Sequence, residues 1–311
     1  GERKETSMTS AIRTEGLTKD YGAGHGLFDL DLDVAEGEVF GYLGPNGAGK
    51  TTTIRLLMDL ARPTRGSAAI FGLDCQSRSV DVKRHVGYVP GELPQFGPLR
   101  GRDVVAYLGS MGGGVDQAYV RELAGRLELD LGRRFREYST GNKKKLALVV
   151  AFMHRPRLLI LDEPTSGLDP LNQQQFYALV REARERGATM FLSSHVLSEV
   201  QHVCTRVGII RAGRLVQVAS LEDLHEIRMH RVEIEFDGAV PLERIRAAEG
   251  VADVVAEDHR VHCVVRGRFE PLLDAIAGSS VVNLSSHEPS LEELFLVHYA
   301  DADREAVAPP C

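Results

Sequence analysis

One glycine-rich segment constrains this 311-residue chain more than any other feature. It fits the pattern G-x-x-x-x-G-K-[ST] and lies between a strand candidate, Glu38–Leu43, and a helix candidate, Thr51–Leu60. Glycines let successive backbone N–H groups approach phosphate oxygens, and the start of a helix adds a positive dipole end. A chance glycine-rich turn is the alternative, but the flanking strand and helix favour a phosphate site. The residues predicted to line it are Gly44, Pro45, Asn46, Gly47, Ala48, Gly49, Lys50, Thr51 and Thr52.

Two carboxylates at the end of an apolar run extend this prediction. Leu158–Leu161 is followed by Asp162 and Glu163, and such carboxylates are costly to bury unless a cation or a water uses them. Lys50 is predicted to contact the β- and γ-phosphates, while the Thr51 hydroxyl binds Mg²⁺ and Asp162 binds it through a water. Glu163 is predicted to polarise the attacking water. A strand followed by an ordinary acidic turn is the alternative.

The order of apolar segments predicts an α/β fold. Over the first two thirds of the chain, short apolar runs alternate with helical patterns, which is typical of a mostly parallel sheet. The runs at 157–161 and 188–192 predict strands buried on both faces. Residues at about 91–140 have helical patterns instead, at 103–110 and 116–129, and we interpret this segment as a helical insertion.

The last third predicts a second, smaller domain. After a first domain at 8–225, residues 230–300 have the order β-α-β-β-α-β and end with a helix at 290–298, a small α+β domain. Its roughly 70 residues bury only a modest core, so we expect it to lean on a partner surface. Residues 1–7 are expected to be a leader or an addition to the native chain, and 301–311 a flexible tail.

Composition excludes several classes of function. The 37 Lys and Arg residues against 44 Asp and Glu residues give a net charge of −7, so no nucleic-acid partner is expected. No apolar run approaches the roughly 18 residues that span a bilayer, and the start lacks a signal-peptide core. None of the 4 cysteines forms a C-x-x-C pair, which favours reduced thiols in a cytosolic setting.

Two further segments add to the motifs already described. Pro164-Thr-Ser-Gly-Leu-Asp-Pro170 follows the acidic pair at once, and Leu192-Ser-Ser-His195 comes later. Together with the segments at 44–51 and 158–163, they resemble the nucleotide-binding subunit of an ABC transporter, over residues 12–220. The resemblance implies the P-loop NTPase fold of the ABC type, with ATP and Mg²⁺ as cofactors.

The resemblance also implies roles for single residues. Ser166–Asp169 matches the D-loop at the dimer interface, with Asp169 near the nucleotide, and His195 matches the residue that contacts the γ-phosphate. Tyr21 matches the aromatic residue that stacks on adenine, and stacking suits any base. An ordinary histidine at a strand end and an edge-strand aromatic are the alternatives.

The signature segment of the family departs from its usual form. The usual Leu-Ser-Gly-Gly-Gln is here Tyr138-Ser-Thr-Gly-Asn142. Ser139 and Gly141 are still expected to face the γ-phosphate of ATP held by the other subunit, with the helix dipole behind them. Thr140 removes the conformational freedom of glycine. We interpret Lys143–Lys145 as a solvated helix face, with a contact to phosphate or lipid headgroups as the alternative.

A second departure follows Pro90. The family has glutamine directly after this proline, whereas here Gly91 stands in that place and Glu92 follows. Glu92 is therefore a candidate to bind Mg²⁺ or to contact the attacking water. A plain acidic residue at a helix start is the alternative.

The end of the chain indicates a subfamily. Glu288–Phe295 resembles the end of ATPase subunits of the daunorubicin-resistance exporter type. The resemblance implies an ATP-hydrolysing subunit that energises an exporter of drugs, antibiotics or lipids from the cytoplasmic face of the membrane. It is expected to pair head-to-tail with a second copy or a related chain, and to dock a separate transmembrane permease on the helical insertion. A non-transport ABC ATPase acting on a ribosome or another soluble complex is the alternative.

Overall fold

The computed structural model describes residues 10–221 and 229–287, and the chain divides into two units between Ala219 and Ser220. The predictions for residues 1–7, the helix at 290–298 and the tail at 301–311 lie outside the described residues.

A six-stranded sheet forms the centre of the first unit, in the order β10-β9-β3-β8-β7-β6. Neighbouring strands pair in parallel from β9 through β3, β8 and β7 to β6, so the predicted mostly parallel sheet is confirmed. The carboxyl ends of β3, β7 and β8 meet at one edge, because Leu43 pairs with Ser194 and Asp162 with Ser193. The strands are β3 Val39–Leu43, β6 Val86–Val89, β7 Leu158–Asp162, β8 Thr189–Ser194, β9 Arg206–Arg211 and β10 Arg214–Ser220.

A second sheet of the same unit, in the order β2-β1-β4-β5, is antiparallel and has no counterpart in the sequence predictions. Register shifts in β1, between Thr14 and Leu17 and between Leu17 and Lys19, interrupt its alternation of inward and outward side chains. A strict period of two is the signal by which such strands are found. The strands are β1 Ser10–Asp20, β2 Gly26–Ala35, β4 Arg65–Ile70 and β5 Leu73–Asp74.

Helices cover the central sheet and form the predicted insertion. In the insertion, α3 and α4 are joined to α5 by a short 3₁₀ helix, Phe135–Glu137. Arg126 at the end of α4 makes two 2.7 Å hydrogen bonds to Glu182 of α6. In the part of the chain that the structure describes, no helix has the length and apolarity to cross a bilayer. The helices are α1 Lys50–Leu57, α2 Ser79–Lys83, α3 Gly101–Met111, α4 Gln117–Arg126, α5 Thr140–Phe152, α6 Pro170–Glu185 and α7 Leu197–Gln201.

Aromatic packing fixes the strand that precedes the glycine-rich loop. Phe40 of β3 stacks on Phe191 of β8 with ring centroids 5.9 Å apart. Tyr42 is fully buried, and its hydroxyl lies 3.2 Å from the Thr53 hydroxyl of α1. Burial raises the pKa of Tyr42 well above its usual value, so the ring stays neutral. These contacts join β3 to α1 and therefore hold both ends of the loop between them.

The second unit has the predicted β-α-β-β-α-β order, with its sheet arranged β12-β13-β11-β14. Its core contains Val232, Ile234 and Val261 from the sheet and Ile245 and Leu272 from the helices. The elements are β11 Met229–Phe236, α8 Leu242–Ala247, β12 Val251–Glu257, β13 Arg260–Arg266, α9 Glu270–Ile276 and β14 Val281–His287.

Candidate active site

The glycine-rich loop joins the end of β3 to the start of α1, as the sequence predicts. Gly49 precedes the helix with φ +112°, a conformation that side chains disfavour, and it leaves the first helical turn without a side-chain cap. A side chain on Gly44 would collide with the carbonyl oxygen of Ile210. Glycine is therefore required at both positions, and the N-terminus of α1 remains open to an anion.

Lys50 places a cation inside this loop. Its side chain is 6% exposed, and Nζ donates hydrogen bonds to the carbonyl oxygens of Gly44, at 2.6 Å, and Pro45, at 3.2 Å. The ammonium also lies 3.3 Å from Oε1 of Glu163. A phosphate bound by the loop would therefore meet a positive charge that already has acidic and carbonyl partners.

Thr51 and Asp162 offer oxygen ligands for a divalent cation. The Thr51 hydroxyl donates to Oδ2 of Asp162 at 2.9 Å, and the carboxylate itself is 0% exposed. Mg²⁺ is commonly bound by one or two such protein oxygens together with waters and substrate phosphates. The residues present therefore fit this ion, whose remaining ligands would be waters and the phosphates of a substrate bound by the glycine-rich loop.

Glu163 and His195 lie beside this pair. Nδ1 of His195 is 2.7 Å from Oε2 of Glu163, and both residues follow directly after strands that pair in the sheet. Glu163 has φ +49°, a left-handed conformation that costs a bulky residue about 1–3 kcal/mol. The fold thus places the carboxylate at the strand end despite backbone strain, as is common at functional sites.

Ser193 is a site residue that the sequence analysis misses. Its hydroxyl donates to Oδ1 of Asp162 at 2.6 Å and accepts from the Glu163 backbone N–H at 3.1 Å. One side chain therefore holds both acidic residues. The signal in the sequence is its place two residues before His195 in a fully buried strand, where a polar side chain needs a partner.

The turn after β6 brings Gly91, rather than Glu92, against the acidic pair. A Cβ on Gly91 would lie 2.8 Å from Oδ2 of Asp162. Glu92 is exposed, and among the described residues it makes no hydrogen bond or ion pair with Thr51 or Asp162. A side chain at position 91 would push on the carboxylate that Thr51 holds. The role of Glu92 at Mg²⁺ or at the attacking water stays a prediction.

The signature segment forms a separate group with the D-loop of the same chain. Ser139 is exposed and caps α5, accepting from the Asn142 N–H at 3.2 Å. A Cβ on Gly141 would lie 2.6 Å from the Gly167 carbonyl oxygen. Asp169 caps α6 through the Asn172 N–H, and these hydrogen bonds lower the pKa of its carboxyl group. Among the described residues, no hydrogen bond or ion pair links Ser139 or Gly141 to Lys50.

The predicted solvated face at Lys143–Lys145 is wrong for two of the three lysines. Lys144 is 3% exposed and Lys145 is also buried, because α5 packs against β6, α3 and α4. Nζ of Lys145 lies 4.0 Å from Oδ2 of Asp169. Burial lowers the pKa of Lys144, while the charges of Asp162 and Glu163 oppose this effect. Lys143 is half-buried, with its ammonium 5.2 Å from the centre of the Phe135 ring.

Tyr21 lies directly after β1 with 54% of its surface exposed. The turn that follows returns to Gly26, and a Cβ on Gly49 would lie 3.4 Å from the Gly26 carbonyl oxygen. The hairpin that carries Tyr21 therefore approaches the glycine-rich loop. The Lys19 ammonium lies 5.4 Å from the centre of the exposed ring. An exposed aromatic ring near a phosphate site is suited to stacking on a base.

A groove of about 450 Å³ adjoins the same site. Apolar side chains make up most of its wall, which also includes Thr51, Glu92, Arg55 and Lys143. Burial, together with the charge of Asp162, raises the pKa of Tyr88 on this wall to about 12, so the phenol is neutral. The apolar residues that line the groove from the insertion include Phe96, Val104, Leu108 and Phe135.

Comparisons with known proteins point to one family. The family model described as ABC transporter matches residues 27–166. The bacitracin transport ATP-binding protein BcrA of Enterococcus faecalis is 32% identical over 93% of this chain and 96% of its own length. The daunorubicin resistance ATP-binding protein DrrA3 of Streptomyces coeruleorubidus is 32% identical over 95% of this chain and 97% of its own length.

A solved structure agrees with these relatives. The ATP-binding subunit of an ABC transporter superimposes with a TM-score of 0.64 at 28% identity, over 70% of this chain and 92% of that one. The predicted α/β P-loop fold is confirmed by this likeness. The chain belongs to the ATP-binding subunits of ABC transporters and is an ATPase.

Proposed function

We propose that this chain energises the export of an antibiotic or a similar drug through a separate membrane permease. The observation that carries the proposal is the convergence of Lys50, Thr51, Asp162, Glu163 and His195 at one edge of the central sheet. Full-length likeness to ATP-binding proteins of bacitracin transport and daunorubicin resistance supports the class of substrate.

ATP binds with its phosphates at the start of α1 and its base on Tyr21. Backbone amides of 44–52 and the Lys50 ammonium hold the β- and γ-phosphates, while Thr51 and Asp162 hold Mg²⁺. When bound, the ion neutralises charge that develops on the phosphate oxygens.

Glu163 and His195 act on the water that attacks the γ-phosphate. Glu163 accepts a hydrogen bond from this water and draws its proton away, which raises its nucleophilicity. His195, held 2.7 Å from the same carboxylate, orients it and reaches toward the γ-phosphate. Ser193 fixes the backbone from which Glu163 extends, so the carboxylate is aligned before ATP arrives.

A second copy or a related chain completes the site. Ser139 and Gly141 belong to the exposed start of α5, a helix whose positive dipole end suits a phosphate. In the part of the chain that the structure describes, neither makes a hydrogen bond or ion pair with Lys50, which supports a role on ATP held by a partner in a head-to-tail pair. Closing this pair excludes water, and hydrolysis reopens it.

The apolar groove beside the ATP site is the proposed docking place for the permease. It lies between the helical insertion and the core, and Thr51 of the ATP site lines it together with Glu92. A cytoplasmic segment of the permease seated there would sense the state of the nucleotide. The chain then works peripherally on the cytoplasmic face of the membrane.

The test is a pull-down with Glu163→Gln and MgATP from detergent-solubilised membranes of the native host. We expect a polytopic membrane protein in stoichiometric amount, because the variant stays in the closed state. Leu108→Glu places a charge in the groove and is expected to lose this partner while binding ATP normally. Recovery of ribosomes or soluble complexes in place of a membrane protein would contradict the transport role and leave the ATPase intact.

A further inference from the structure

Lys144 is a buried cation that the proposed reaction does not use. It belongs to α5, the helix that starts at the signature segment, and only 3% of its side chain is exposed. Lysine is almost never buried to this degree without a partner, since its charge loses the solvation of water. The position therefore requires compensating groups nearby.

The groups that face the ammonium are carbonyl oxygens at the ends of two neighbouring strands, β6 and β7. Nζ of Lys144 lies 3.5 Å from the carbonyl oxygen of Pro90 and 3.5 Å from that of Asp162. Pro90 directly follows β6, where the chain leaves the sheet for the helical insertion, and Asp162 ends β7. The ammonium thus lies between the start of the helical insertion and the end of β7, where Asp162 and Glu163 are placed.

The same helix contacts the D-loop through its first turns. Gly141 packs against the Gly167 carbonyl, and Lys145 pairs with Asp169 at 4.0 Å. Rigid secondary-structure elements and their contacts can carry coupling between two sites. Helix α5 therefore offers a route from Ser139 at its start to Lys144, and through Lys144 to the end of β7.

We propose that Lys144 is a positioning residue for ATP hydrolysis. It connects the end of β7, which bears Asp162 and Glu163, to α5, the helix that presents Ser139 to the ATP of the partner chain. This connection links closure of the signature segment on one ATP to alignment of Glu163 on the other. It rests on the proposed roles of Glu163 and Ser139, and it adds a route between the two sites within one chain.

The first experiment compares variants of the full-length chain. Lys144→Met removes the charge at nearly constant length, Lys144→Arg keeps it, and Lys83→Met removes an exposed lysine of α2 as the matched control. We expect Lys144→Met to lower kcat about tenfold or more, as small misplacements of catalytic groups do, with the Kd for MgATP changed less than about twofold. Lys144→Arg is expected to recover most of kcat, and Lys83→Met to match the wild type.

The second experiment reads out the link between sites. In a Glu163→Gln background, MgATP is expected to drive pairing of the chains, and adding Lys144→Met is expected to raise the protein concentration needed for pairing severalfold. A purely structural lysine would lower the melting temperature without separating kcat from MgATP affinity. Buried charges are often replaced by apolar residues without loss of folding; if Lys144→Met fails to fold, Lys144→Gln serves the same test.

The outcomes separate this inference from the proposed function. Normal kcat and normal pairing in Lys144→Met would overturn the role of Lys144, while Glu163→Gln still abolished turnover. Equal losses of kcat in Lys144→Met and Lys144→Arg, with a lowered melting temperature, would show that Lys144 contributes only to packing. That result would also overturn the proposed positioning role. Full turnover in Glu163→Gln alone would instead overturn the proposed site, and with it the inference.

Discussion

The Ser193 hydroxyl holds both acidic residues of the site, with one hydrogen bond to Asp162 and one from the backbone of Glu163. The motifs predict which charged residues converge, because strand ends of a parallel sheet share an edge. They do not predict this hydroxyl or the buried Lys144, because neither residue has an assigned role in the motifs. Each contacts Asp162 only through the packing of β8 and α5 against β7.

Replacing Lys50 tests the phosphate site. Lys50→Ala removes the ammonium that lies between the loop carbonyls and Glu163. We expect the affinity for MgATP to fall about 30-fold or more, the usual cost of removing one partner of a desolvated charge pair. Isothermal titration calorimetry measures it, with Lys83→Ala as a control. Unchanged tight binding of MgATP by Lys50→Ala would contradict the assignment.

Replacing Glu163 separates binding from chemistry. Glu163→Gln keeps the size of the side chain but cannot take a proton from water, so kcat is expected to fall about 100-fold or more. The affinity for MgATP should change little, because the phosphate contacts remain. Phosphate release and nucleotide binding are measured on the same preparation. Turnover close to that of the wild type would refute the role of Glu163.

Gly91→Ala tests the close approach of the turn after β6 to Thr51 and Asp162, the proposed ligands of Mg²⁺. The new Cβ would lie 2.8 Å from Oδ2 of Asp162, so the carboxylate must turn away from the Thr51 hydroxyl. We expect the Mg²⁺ concentration for half-maximal ATPase activity to rise severalfold. Gly125→Ala is the matched control, because a Cβ there meets nothing within 4 Å. An unchanged Mg²⁺ dependence for Gly91→Ala would show that the site tolerates a side chain.

At the scale of elements, prediction succeeds where one pattern is uninterrupted. The apolar runs of β7 and β8 and the helices of the insertion are predicted because each keeps a single period or a continuous apolar run. The antiparallel sheet escapes prediction because bulges in β1 shift the inward face along the strand. The burial of Lys144 and Lys145 escapes it because α5 is covered on several sides, which its three consecutive lysines do not suggest.

One ion pair between elements gives a test of stability. Arg126 holds the pKa of Glu182 below its usual value, and the pair joins α4 of the insertion to α6 of the core. Because the side chains are partly exposed and screened by solvent, Glu182→Gln should lower the free energy of unfolding at neutral pH by only about 0.5–1 kcal/mol.

The pH dependence of this difference has a definite sign. A lowered pKa means that the stabilisation is complete above the unfolded-state value of about 4.3 and is lost as the pH falls through the folded-state value. Urea unfolding at neutral and acidic pH measures it, with the exposed Glu185→Gln as the control. A difference that does not shrink in acid would argue against the ion pair.

At the scale of the whole molecule, the order of motifs along the chain predicts the family, and the family implies a pair of chains. The first unit carries the residues proposed to bind ATP, while among the described residues no hydrogen bond or ion pair links Ser139 or Gly141 to Lys50. Under the proposed function, the site is divided between two chains and works only when they meet. The account therefore depends on ATP acting as the bridge between them.

The most direct measurement is the mass of the Glu163→Gln chain in solution, by sedimentation with MgATP and with MgADP. The account predicts twice the mass of one chain with MgATP, and a single chain with MgADP or when Ser139→Glu places a negative charge at the signature segment. A single chain in MgATP, at concentrations where ATP is demonstrably bound and with the native permease also present, would contradict the ATP-bridged pair.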